Sequence, residues 1–134
     1  MSEISDLLIK HEGLRLFMYF DSEGVPTIGV GRNLKNRGIT KDEALYLLQN
    51  DIADFTKQLS EKLYWFDAQP DQAKLVLIDM GFNCGIAGLM TFQKTLEHFK
   101  NNDYKNAAIE LENSKWASQV PNRANDLCNI LNSI

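Results

Sequence analysis

The sequence predicts an α+β fold that is mainly α: a small N-terminal β-hairpin lobe, a larger helical lobe, a long helix joining them and a cleft between. Three observations carry this expectation. Residues 14–31 are rich in aromatic and β-branched side chains and are interrupted by the turn-forming Asp21-Ser22-Glu23-Gly24. After Gly38 the apolar residues recur at intervals of three and four, the period of a helix packed on one face. No Pro/Gly/Ser-rich linker, internal repeat or low-complexity stretch divides the 134 residues, so one domain is expected. Within it, residues 14–40 form the small lobe, 1–12 and 60–134 the helical lobe, and 41–59 the connecting helix.

Each element has its own signal. Ser2 caps a first helix that runs to about His11, with Ile4, Leu7 and Leu8 on one face and Gly13 as a left-handed stop. Leu16–Phe20 and Val25–Val30 form the arms of the hairpin, and Pro26 makes the second arm an edge strand or delays its start. Thr40-Lys41-Asp42-Glu43 is a capping box, in which the threonine hydroxyl and the glutamate each satisfy an orphan amide. The helix it opens carries Ala44, Leu47, Leu48, Ile52, Phe55 and Leu59. Pro70 belongs to the first turn of the next helix, whose run Leu75-Val76-Leu77-Ile78 implies burial on most sides, and Gly85 ends it. Shorter helices are expected around 92–100, 104–112 and 121–132.

Composition narrows the function classes. Hydrophobic residues make up 44% and charged residues 24%, which excludes disorder and a disulfide-dense scaffold. No run approaches 18 uninterrupted apolar residues, so no membrane insertion is expected, and the polar, acidic N-terminus (Met1 to Asp6) is unlike a secretory signal. A net charge of −4 argues against nucleic-acid partners, whose binding rests on neutralising phosphates. One basic cluster, Arg32, Lys35, Arg37 and Lys41, lies in a stretch without acids, and reads either as a solvated loop or as a local attraction for an anionic polymer. Cys84 and Cys128 lack metal or redox spacing and read as small core hydrophobes. Two histidines and no CxxC give no metal site. His98 reads as a helix-surface residue, and Gly29-Val30-Gly31 lacks the third glycine of a dinucleotide fingerprint.

Only Glu12 breaks a local rule. It sits at a helix C-terminus, where the macrodipole and free carbonyls disfavour an anion, as suits a group that must hold a proton to act as an acid. A solvent-exposed glutamate tolerating a small penalty is the alternative. Asp21 is commonplace at the start of a turn, Thr27 in a strand, and Arg123 in the first turn of a helix.

Together these residues resemble a family. His11-Glu12-Gly13-Leu14-Arg15-Leu16 and Tyr19-Phe20-Asp21 through Thr27-Ile28-Gly29-Val30-Gly31 are similar to the catalytic region of the phage-type lysozymes, glycoside hydrolase family 24. That family's signature is a glutamate, eight residues, an acidic residue, five residues and a threonine, and Glu12, Asp21 and Thr27 match it without a gap. The similarity continues through Gly38–Ala44, Gly81–Gly85 and Ser114–Ala124, in the family's order.

The resemblance implies a lysozyme-like fold and a muramidase of the endolysin type. Its substrate would be the peptidoglycan glycan strand, cut at the β-1,4 link from N-acetylmuramic acid to N-acetylglucosamine. Glu12 would be the general acid, and Asp21 with Thr27 would hold the attacking water. Inversion of the anomeric centre would then require the two carboxyls to stand about 6.5–9.5 Å apart. Arg123 matches an arginine that pairs with and orients the catalytic glutamate. Gly31, Phe82 and Asn83 match positions along the glycan groove, although Phe82 fits core packing equally. No cofactor is implied, the enzyme would act as a monomer, and an endolysin without a signal peptide would wait in the host cytoplasm before acting at the wall.

Two departures stand out. Arg32 occupies a position where family members often carry a histidine, and the stretch between Gly31 and Thr40 is short, so the small lobe is expected to lack a strand or a helix. A lytic transglycosylase needs only the acid, so the presence of Asp21 and Thr27 favours hydrolysis. The reading from another class is a lysozyme-like cell-wall-binding module with little activity, to which the acidic net charge lends weight.

Overall fold

Ser2 does what a helix N-cap requires: its backbone is extended and its Oγ accepts the Ser5 amide at 3.2 Å. In the computed structural model, which describes residues 2–134, helix α1 then spans Glu3–Glu12. The Gly13 amide closes it on the Ile9 carbonyl at 2.8 Å. Gly13 has φ +83° but ψ 163°, so the chain leaves α1 straight into extended structure rather than through a left-handed turn. Met1 lies outside the described residues.

Strand β1 (Arg15–Phe20) pairs antiparallel with β2 (Pro26–Gly29), and β2 pairs with β3 (Arg32–Asn33), giving the sheet order β1-β2-β3. The hairpin is as expected, with a second arm that starts late, at Pro26. It is the central strand, however, and not an edge. Proline is tolerated because it opens the strand opposite Phe20, where no further ladder amide is needed. The short β3 is additional to the expected hairpin, since Arg32-Asn33 carries no hydrophobic alternation to mark a strand.

The capping box forms in full. Glu43 N donates to Thr40 Oγ1 at 3.1 Å and Thr40 N to Glu43 Oε1 at 2.8 Å, opening α2 (Lys41–Lys62). By backbone contacts the chain divides into two units, one through Leu48 and one from Gln49 to Ile134, with the boundary inside α2. Among the described residues every buried hydrophobic one lies in the second unit, whereas Thr27 alone is buried in the first.

A 3-10 turn at Phe66–Ala68 follows α2, and α3 spans Asp71–Met90. Gly85 (φ 75°, ψ 164°) is not helical, so the first helical segment of α3 ends there as expected and a second resumes directly after the kink. Of its apolar run, Val76 and Leu77 are fully buried, but Leu75 is half exposed. By length and composition alone α3 would suffice to cross a membrane, although charged and polar residues interrupt its apolar run. Here its Ala73, Val76, Leu77, Met80 and Leu89 supply the core. Helices α4 (Gln93–Lys100), α5 (Tyr104–Glu112) and α7 (Pro121–Asn132) match expectation, and α6 (Lys115–Gln119) is additional. They assemble by packing α5 on α4 and α7, and α7 on α3 and α6. The whole is an α+β, mainly α, lysozyme-like fold.

The core of the second unit admits polar groups only where they are fully bonded. Gln69, buried, donates to the Phe99 carbonyl at 2.9 Å and accepts from the Tyr104 hydroxyl at 2.7 Å. Removing such a group strands its partners in an apolar surrounding. Gln69→Ala should therefore lower the unfolding free energy by about 1–3 kcal/mol. Urea titration checks this, and an unchanged midpoint would show that water satisfies both partners.

Candidate active site

Glu12, Asp21, Thr27 and Gly31 belong to the first unit, and Phe82, Asn83 and Arg123 to the second. Each group is built by its own elements.

In the first unit α1 delivers Glu12, exposed, at its last position. The turn after β2 returns the backbone to it. Gly29 (φ +71°) and Gly31 (φ +69°) flank Val30, and a Cβ added to Gly31 would stand 2.9 Å from Glu12 Oε2 and 3.3 Å from its Cδ. A side chain at 31 would thus be strained and would collide with the carboxyl, so the site needs glycine there for two separate reasons.

Asp21 and Thr27 are tied to one residue. Asp21 Oδ1 accepts the amides of Glu23 (2.8 Å) and Val25 (2.9 Å), while Thr27 Oγ1 donates to the Val25 carbonyl at 2.8 Å. Asp21 N also donates to that carbonyl at 3.0 Å. Both side chains are therefore held by the turn and not left to rotate. Both Asp21 bonds fall on Oδ1, which leaves Oδ2 as an acceptor. Thr27 is buried, 4% exposed, so its hydroxyl is sheltered from competing solvent.

Arg32, in the basic cluster, has a definite partner. Its Nη1 and Nη2 donate to Glu43 Oε1 (2.9 Å) and Oε2 (2.8 Å), and Nη1 also donates to the Gly38 carbonyl at 3.1 Å. This forked, two-bond geometry is the strong form of an ion pair. The pair borders an open groove of about 710 Å³ whose walls include Ile28, Val30, Ile39 and Leu47. Its charge is spent internally, so of the four cluster residues Arg32 does not serve as a free cation. The Arg32 guanidinium, with help from Thr40, holds the Glu43 carboxyl down at about 2 and in return raises Arg32.

In the second unit Arg123, in the first turn of α7, donates Nε–H to Asp79 Oδ1 at 2.6 Å and Nη2–H to the Asp79 carbonyl at 3.3 Å. Asn83 Oδ1 accepts Trp116 Nε1–H at 2.7 Å, which orients the exposed carboxamide and leaves its Nδ2 as a donor. Phe82 stacks on Phe55 with ring centroids 4.8 Å apart and stays 37% exposed, so one face packs and another is free. Asp79, Trp116 and Glu43 were not singled out as site partners, because each bond joins residues far apart in sequence. Among the described residues no three His, Cys, Asp or Glu side chains gather as a metal site would require. Cys84 and Cys128 are free thiols, and burial pushes both upward from the usual thiol range.

Glu43 gives a pH test. Its folded-state value lies below the ordinary 4.5, so its contribution is complete above that value and is lost as pH falls towards 2. The stability difference between wild type and Glu43→Gln should be constant from neutral pH down to about 5 and narrow steadily below it. Urea titrations at several pH values measure this, and a difference independent of pH would rule the ion pair out as its source.

Comparison with known proteins agrees with the fold. The family model described as Phage lysozyme matches residues 9–129. Two proteins of Dictyostelium discoideum, Probable T4-type lysozyme 1 and Probable T4-type lysozyme 2, are each 28% identical over 160 aligned positions, with 94% of their own length and 98% and 97% of this chain covered. Those alignments exceed the 134 residues of this chain, so part of their gaps falls within it. Pre-baseplate central spike protein Gp5 of Enterobacteria phage T4 is 26% identical over 157 positions, covering 96% of this chain and 27% of its own length. With the family model spanning nearly the whole chain and lysozymes matched end to end, this protein belongs to the phage lysozyme family and is a lysozyme, a glycoside hydrolase.

Proposed function

We propose that this lysozyme hydrolyses the β-1,4 bond from N-acetylmuramic acid to N-acetylglucosamine in peptidoglycan with Glu12 as general acid and Asp21 and Thr27 as the water-holding pair. The close approach of Gly31 to the Glu12 carboxyl carries this reading most directly. It is a space that only a residue without a Cβ leaves open, beside an acidic group at the unfavourable end of a helix.

The hydrogen bonds of the hairpin supply the chemistry. The Thr27 proton is committed to the Val25 carbonyl, so toward a water molecule Thr27 acts as an acceptor. Asp21 Oδ2 is a second acceptor. A water that gives one hydrogen to each turns its lone pair outward, towards the anomeric carbon, and Asp21 takes its proton as the C–O bond breaks. Glu12 delivers its own proton to the departing oxygen on the other face of the sugar. Each step moves one proton, the charge builds on the ring between two carboxyl groups, and inversion follows from attack opposite the leaving group. Asn83 Nδ2 and the free face of Phe82 would contact the glycan, and Arg123, braced by Asp79, would orient the acid. The protein would act as a monomer at the cell wall, without nucleic-acid partner or membrane insertion, after waiting in the host cytoplasm.

Three measurements test this reading. Glu12→Gln should abolish release of reducing ends from purified peptidoglycan while co-sedimenting with it as wild type does. If neither protein releases reducing ends and both sediment equally, the chain is a binding module; anhydro-sugar products in place of reducing ends would mark a transglycosylase. Gly31→Ala should keep the fold, because the carboxyl it strikes is the end of a flexible side chain, yet lose turnover by about tenfold or more. Arg123→Ala should reduce turnover without unfolding the protein, and wild-type activity in that variant would remove its role.

A further inference from the structure

We infer that Arg32 and Glu43 form a latch that positions the Gly31 backbone against the Glu12 carboxyl, so that this pair governs turnover without touching substrate. The inference rests on the reading of Glu12 as the general acid. It begins with what holds Gly31 in place. The turn Gly29-Val30-Gly31 has two glycines at positive φ, and Val30, 37% exposed, lines open grooves and enters no core, so its own side chain holds it loosely. The strand that follows is two residues long, joined to β2 through Thr27–Asn33 and Ile28–Arg32 and by the Leu34 amide on the Pro26 carbonyl at 2.9 Å, and a ladder so short is weak by itself.

Arg32 supplies the missing restraint. It directly follows Gly31 in the chain, and its guanidinium makes three hydrogen bonds, two to Glu43 and one to the Gly38 carbonyl. Glu43 is itself fastened by the Thr40 amide and by its place in the first turn of α2. The position of Gly31 is thereby referred to the start of a 22-residue helix. Across the gap Glu12 is exposed and has three rotatable side-chain bonds, and the Gly31 backbone, with its Cβ position 2.9 Å from Oε2, is the wall that limits where the carboxyl can lie. Loosening the latch lets that wall retreat. The acid then samples more conformers, and fewer of them align with the leaving oxygen.

Glu43→Gln is the mildest probe, since glutamine at this position preserves the capping box while the charge is lost. Arg32→Gln removes the other half, and the double variant tests whether the two act as one. Turnover and KM are measured on soluble, uncross-linked glycan strands at a temperature where circular dichroism shows every variant folded. We expect kcat to fall roughly tenfold in each single variant with KM changed by less than about twofold, and the double to be no worse than either single. Asp103→Ala, which removes the cap of α5 far along the chain, serves as the stability control and should keep wild-type kcat. Wild-type kcat in both single variants, losses that multiply in the double, or an equal loss in Asp103→Ala would each overturn the latch. Inactivity of Glu12→Gln alongside fully active latch variants would sink this inference alone. Full activity of Glu12→Gln would sink the reading of the acid beneath it.

Discussion

One carboxylate, that of Glu43, holds together the part of the N-terminal unit that has no core to do so. It closes the capping box of α2 with Thr40 and grips both ends of the Arg32 guanidinium, which also reaches Gly38. Hydrophobic burial is non-directional, and among the described residues this unit buries only Thr27. Its geometry is therefore set by directional bonds: forked ions at one side, and at the other the Asp21 and Thr27 side chains gathered on Val25. Such a unit defines positions to within a hydrogen-bond length, which suits the placing of two reacting groups proposed for it.

The second unit is organised on the opposite principle. Its cluster of buried side chains runs from Leu59 to Leu131, with Phe66, Phe99, Leu77 and Met80 fully enclosed. Polar groups enter it in closed sets, as Gln69 does with Phe99 and Tyr104, so none is left unpaired within. A core of this kind stabilises by area and tolerates some repacking, whereas the bonds of the first unit tolerate little.

Much of this was legible in the sequence because it is local. The Ser2 and Thr40 caps, the Asp21 turn, the late start at Pro26 and the helices at 93–100, 104–112 and 121–132 each depend on residues within a few positions of one another. The spacing of Glu12, Asp21 and Thr27 was legible for the same reason. What could not be read depends on distance along the chain. In the sequence Arg32 is one cation among four, and its bond to Glu43 spans eleven positions, as that of Arg123 to Asp79 spans 44. The strand at Arg32–Asn33 was invisible because it carries no alternating pattern, and Leu75 escaped burial because a run of four apolar residues on a helix must turn one of them outward. Gly85 does stop one helical segment, but the sequence does not reveal that a second begins directly after it on a new axis.

The two cysteines carry a consequence for where such a chain can work. Cys84 gives its S–H to the Met80 carbonyl and Cys128 to that of Ala108, and burial pushes both thiols towards the protonated form. Disulfide exchange and oxidation proceed through the thiolate, which these surroundings suppress. Both reactions are therefore disfavoured at these two thiols, more so at buried Cys128 than at half-buried Cys84.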